Sequence, residues 1–177
     1  MKKAKMRSIK YQAFIFLIII SSASCGKIEK LPPEPTIAFK SFVVVDTNTF
    51  LGLTRAGRLN FYFEDGDGDL GLNKPTAGTS TDTTNLFFSL LRKTGGTFVP
   101  VSDTDPLKPS DYRIPYMDRQ GQNKILRGNI SITFYYFFFS PTDTIKYEFY
   151  LKDRAGHISN SSSTSEIILN KKGIYKN

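Results

Sequence analysis

The chain has 177 residues, with 24 Lys and Arg against 16 Asp and Glu, one His, one Cys and no Trp. Five of the basic residues fall in the first ten positions and every acid falls after position 24, so the 153 residues beyond it carry only +3 of the formal +8. Nucleic-acid binding calls for a clustered basic stripe, and past the first ten positions no basic run is longer than a pair such as Lys171-Lys172. One Cys excludes an internal disulfide and a multi-thiolate zinc site, and one His excludes a zinc centre built on several imidazoles.

Lys2, Lys3, Lys5, Arg7 and Lys10 precede an apolar run, Ala13 to Ile20 (AFIFLIII), followed by Ser21, Ser22, Ala23, Ser24 and then Cys25-Gly26. A basic start, a short apolar segment and a small-residue cleavage site define a secretory signal, here residues 1–24. The alternative, a retained membrane-spanning anchor, needs about 20 apolar residues, and the strictly apolar run from Ala13 ends at Ile20. Small residues directly before a cysteine, with glycine after it, resemble the lipobox of bacterial lipoproteins. That resemblance implies cleavage before Cys25, a covalent lipid on Cys25 and a membrane anchor.

Residues 25–35 read as a lipidated cysteine and tether, because Pro32, Pro33 and Pro35 disfavour helix and strand alike and bias the backbone to extended geometry. From residue 36 to 170 strand signals repeat. Ile37 to Val45 is β-branched and aromatic, and Arg58 to Glu64 alternates with Leu59, Phe61 and Phe63 on one face. Leu86 to Leu91 and Thr97 to Val101 flank Gly95-Gly96. Ile130 to Phe139 is the longest run, Thr144 to Lys152 alternates with Ile145, Tyr147, Phe149 and Leu151 inward, and Ser165 to Leu169 closes the set. Residues 112–117 are either loop or an extra edge strand, and 171–177 read as a polar tail. Short period-2 runs separated by Gly, Pro, Asp and Ser predict an all-β fold: a single immunoglobulin-like antiparallel β-sandwich of about seven strands.

The stretch Asp153-Arg154-Ala155-Gly156-His157-Ile158-Ser159-Asn160 resembles the last hairpin of bacterial immunoglobulin-like and fibronectin-type modules. With the proline-rich tether and the DGDGD segment, the chain is similar to outer-membrane lipoproteins of the Bacteroidetes type. The resemblance implies a lipid-anchored protein on the periplasmic or the surface face of the outer membrane, and implies no activity.

Glu64-Asp65-Gly66-Asp67-Gly68-Asp69 is the candidate metal site. Carboxylates on alternate residues with intervening glycines can wrap one hard cation, Ca²⁺ being the expected one, and such a cation would relieve their mutual repulsion. A calcium-binding helix-loop-helix is disfavoured: counting from Asp65, Leu70 stands where that loop has glycine and Thr76 where it has a bidentate glutamate. The other reading is a solvated Asp-Gly turn. Gly66, Gly68 and Gly71 also satisfy a dinucleotide fingerprint, but Asp67 and Asp69 would repel phosphate and no helix can open at residues 73–78.

Alternating strand direction places the loops after the second, fourth and sixth strands at the end where the first begins. Asp153 or Asn160 is therefore expected to complete the shell begun by Asp65, Asp67 and Asp69, and the acidic loop is expected to lie near the membrane. His157 reads as a hydrogen-bonded turn residue, or else a ligand or acid-base group. Phe134 to Phe139 is aromatic on both faces. It is either a central strand with its second face under a loop or a platform offering Tyr135, Phe137 and Phe139 to a partner. These features predict a lipid-anchored, non-enzymatic binding or accessory module with an unknown protein or glycan as partner and no nucleic acid. The alternatives are a calcium-organised hydrolase acting on an extracellular polymer and a purely structural envelope lipoprotein.

Overall fold

The computed structural model of the protein describes residues 30–74, 83–118 and 124–177. Cys25 and the signal segment lie outside the described residues. Leu31–Asn177 forms one compact unit. Its strands are β1 (Thr36–Thr49), β2 (Gly52–Asp65), β3 (Leu86–Thr94), β4 (Thr97–Pro100), β5 (Leu126–Tyr136), β6 (Thr144–Leu151), β7 (Ser162–Ser163), β8 (Ile167–Ile168) and β9 (Gly173–Tyr175).

One sheet runs β5-β2-β1-β9; the other runs β4-β3-β6-β7, with β8 also on β6, and every strand pairing is antiparallel. The order β1-β2-β5 facing β4-β3-β6-β7 is the layering of an immunoglobulin-like sandwich, so the expected fold class holds. The period-2 rows meet between the layers. Phe42, Leu59, Phe61, Ile145, Tyr147, Phe149 and Leu151 are fully or almost fully buried. Phe61 lies 5.1 Å from Phe149 and Phe134 lies 5.2 Å from Tyr147, ring centre to ring centre. Aromatic pairs of this kind add about 0.5–1.5 kcal/mol beyond burial. The polar ends of the buried tyrosines are used as well: Tyr136 and Tyr147 share a 2.9 Å hydroxyl bond, and Tyr147 donates to the carbonyl of Leu107 at 3.0 Å. Burial raises both phenols well above their ordinary range, so they stay neutral donors.

The pairing of β1 with β2 passes from Phe39 opposite Phe61 to Ser41 opposite Asn60, leaving Lys40 as a bulge with its ammonium 5.4 Å from the Tyr62 ring centre. The bulge lets Ile37 and Phe42 both face inward although they are five residues apart.

Several strands differ from the sequence reading. β1 and β2 extend beyond the runs read as strand into an exposed hairpin, closed by Gly52 at φ 101° and a 3.3 Å bond between the Thr49 and Thr54 hydroxyls. β5 begins at Leu126, because Arg127, Gly128 and Asn129 pair with β2, and it ends at Tyr136. It is also the outer strand of its sheet, not the central strand expected of the aromatic run. The single expected strand over Ser165 to Leu169 is replaced by β7 and β8. Between them Thr164 turns inward, its hydroxyl accepting the Tyr147 N–H at 3.1 Å. Residues 112–117 form no strand; they make isolated bridges from Tyr112 to Leu86 and from Pro115 to Leu72. Gly173–Tyr175, within the stretch read as a polar tail, adds β9 to the free edge of β1.

Candidate metal centre

The inward row of β2 runs Leu59, Phe61, Phe63, and one further step brings Asp65 to the rim of the core. The inward row of β6 runs Ile145, Tyr147, Phe149, Leu151, and one further step brings Asp153 to the same rim from the other sheet. Both carboxylates are buried, at 0% and 3% exposure. A buried carboxylate is costly unless it is hydrogen-bonded, paired or bound to a cation.

The loop after β2 then folds back. Leu70, wholly buried, plugs the core, and its N–H donates to Asp65 Oδ2 at 2.7 Å. This explains the departure from the helix-loop-helix pattern at that position: the residue serves the core rather than a turn. Asp69 Oδ2 accepts the Ala155 N–H at 3.0 Å, which ties the loop to the hairpin after β6. Asp153 Oδ1 accepts the N–H groups of Gly156 and His157 at 2.7 and 2.8 Å, and its Oδ2 lies 2.8 Å from His157 Nδ1.

Asp65, Asp67, Asp69 and Asp153 thereby each present a carboxylate oxygen within 4.8 Å of the others. Two oxygens on opposite sides of a Ca²⁺ at about 2.4 Å are separated by about that span. Asp65 Oδ1 and Asp69 Oδ1 are buried, with no hydrogen-bond donor among the described residues. The four groups could hold a metal ion, and an all-carboxylate set suits a hard cation.

The electrostatics agree. Burial, then the charges of Asp67 and Asp69, push the Asp65 carboxyl up to about 6 against the opposing pull of the Leu70 N–H. Burial and the Asp153 and Asp67 charges also raise Asp69, partly offset by Arg154. The Asp153 carboxylate raises His157. These carboxylates are held together at an electrostatic cost that a bound cation would remove.

All four expected ligands therefore meet. Asn160, the other residue considered for the shell, does not join them: its side chain brackets Ile37, accepting its N–H and donating to its carbonyl, both at 2.9 Å. Residues that the sequence reading missed complete the neighbourhood. Arg154 donates to the Gly71 carbonyl at 2.7 Å and lies over the Tyr116 ring at 4.8 Å. Gly71 has φ 93°, and a Cβ there would come 2.3 Å from the Pro115 carbonyl oxygen, so only glycine fits. No sequence pattern marks Arg154; its role depends on a contact between loops more than 80 residues apart.

The acidic loop lies at the end where β1 begins, since Thr36 pairs with Glu64. A Cβ at Gly66 would come 2.1 Å from the Pro32 carbonyl oxygen and 2.7 Å from that of Leu31, so the tether backbone lies directly on the loop.

The aromatic candidates are divided. Tyr135 and Phe137 are about half exposed and stack with ring centres 6.5 Å apart. Phe139 turns back towards the core beneath the Arg55 guanidinium, 5.6 Å from its ring centre. Phe138 lies beyond the end of β5 and is 81% exposed. Comparison with protein-family models, curated proteins and solved structures finds no match to the chain.

Proposed function

We propose that this protein is a lipid-anchored, non-enzymatic immunoglobulin-like module of the bacterial outer membrane. Cys25 carries the lipid, Ca²⁺ sits among Asp65, Asp67, Asp69 and Asp153, and a protein or glycan partner is bound through the exposed aromatic residues. The observation that carries this reading is the convergence of four carboxylates where the tether joins the sandwich. A cation there stabilises the end of the domain that takes the load of the anchor. The arrangement favours binding over hydrolysis, because the acids face one another and backbone N–H groups. The groove of about 460 Å³ between residues 112–117 and β5 is lined by Tyr112, Ile114, Pro115, Met117, Ile130 and Ile132, among others, and, among the described residues, by no carboxylate or imidazole. Tyr135 and Phe137 supply a rigid apolar surface beside that groove's outer strand.

Expression of the full chain in a Gram-negative host with labelled palmitate tests the anchor. The label is expected on the wild type, which fractionates with outer membranes, and neither is expected for Cys25→Ala. Thermal unfolding of the purified full chain with millimolar Ca²⁺ or chelator tests the cation. A Tm independent of Ca²⁺ would remove the metal from this reading.

A further inference from the structure

Leu31 and Pro32 lie against Gly66, and Gly66 is flanked by two of the four carboxylates. Asp65 closes β2 in one sheet, Asp153 follows β6 in the other, and Asp69 is bonded to the backbone of the hairpin after β6. One cation would therefore join three pieces of chain at a single point: the β2 rim, the β6 rim and, through Gly66, the tether. An acidic cluster alone would not carry this. The added observation is Asp65 Oδ1, an oxygen of a fully buried side chain that has no hydrogen-bond donor among the described residues and belongs to a carboxylate of the converging set. A buried acceptor so placed calls for a ligand.

Building on the Ca²⁺ reading above, we propose that the cation is a clamp on the tether: Ca²⁺ binding fixes the Asp65–Asp69 loop in the shape that seats Leu31 and Pro32, and loss of Ca²⁺ frees the tether from the sandwich. In the unliganded cluster, repulsion between Asp65, Asp67 and Asp69 spreads the loop. Gly66 is the residue whose path must stay narrow for the Pro32 carbonyl to remain in contact. Downstream of the prolines, Asn160 and the Ser162 hydroxyl, which accepts the Phe39 N–H at 3.1 Å, hold β1 independently of the ion. The release is therefore confined to residues before β1, and the domain stays folded. Ca²⁺ concentration then sets the reach of the domain from its anchor.

The test is the rate at which endoproteinase Lys-C cuts the full chain after the exposed Lys30, with Ca²⁺, with Mg²⁺ and with chelator. If seating requires the ion, Ca²⁺ at a hundred times its Kd lowers the cleavable population by about a hundredfold, and Asp67→Asn abolishes that protection. Gly66→Ala leaves every ligand in place while its Cβ displaces the Pro32 carbonyl. In this variant Ca²⁺ should still raise the Tm, yet cleavage after Lys30 should be fast with or without the ion. A Tm that rises with Ca²⁺ while wild-type cleavage stays unchanged overturns the clamp and leaves the metal site standing. A Tm indifferent to Ca²⁺ overturns the metal site itself.

Discussion

The two ends of the sandwich differ in kind. At the tether end, charged groups are buried or half-buried and bonded: Asp65, Asp69 and Asp153 accept backbone N–H groups, and Arg154 caps a carbonyl. At the far end, apolar groups face solvent. Phe50, Leu51, Leu53 and Phe138 are 93%, 66%, 74% and 81% exposed around the β1–β2 and β5–β6 turns. The far turns are nonetheless ordered by polar contacts, with Asp143 accepting the Ser140 N–H at 2.6 Å. The contrast teaches that one end is organised to hold the fold together and the other carries surface that the fold does not need.

The sharpest way to break this comparison is at Asp153. Replacing it by Ala deserts the Gly156 and His157 N–H groups and the His157 ring. That should cost about 3 kcal/mol, since one hydrogen bond to a charged group contributes about 1.5–3 kcal/mol, read as a lower urea midpoint. Next in size is the ion itself: Ca²⁺ at a hundred times its Kd should add about 2.7 kcal/mol, and Asp67→Asn should remove the gain in calorimetry.

Acidity provides a third test. The folded Asp65 carboxyl sits near 6, above its unfolded value, so the native state holds more protons than the unfolded one through the intervening range. Asp69 and His157 are shifted upward as well and act in the same direction. Without Ca²⁺, stability should therefore fall as pH rises from 4 to 7; saturating Ca²⁺ should flatten that slope, because the ion takes over the role of the protons. Thermal melts across this range check both. The smallest effect belongs to the far end: Phe138→Ser should change stability by less than about 0.5 kcal/mol, as exposed positions do. A large loss there would show that the apolar end serves the fold after all.

Much of the fold was legible because alternation needs only neighbours in sequence. β6 and the second half of β2 follow directly from it, and continuing their inward rows by one step reaches Asp65 and Asp153. Strand parity then brings the two loops to one end. What alternation misses depends on partners far along the chain. Arg127 to Asn129 are polar yet become strand because β2 offers a ladder, while Phe138 is apolar yet leaves the sheet because its ladder has ended. Aromatic residues on both faces of β5 suggested a covered position, but strand order in a sheet is set by the whole topology and has no local signature. Asn160 and Arg154 were unreadable for the same reason: each bonds a backbone group more than 80 residues away.

The bulge at Lys40 gives the first strand an unusual grammar. Skipping Lys40, the sequence Ile37-Ala38-Phe39-Ser41-Phe42 alternates without interruption against β2, so Lys40 is a letter inserted into a word the sheet already spells. A strand of this kind tolerates the loss of that one residue but not of its neighbours. Removing Val43 instead would reverse which of the following side chains face the core, sending Val44 outward. The protein thus carries, within β1, one position where its length is free and a run beside it where length is meaning.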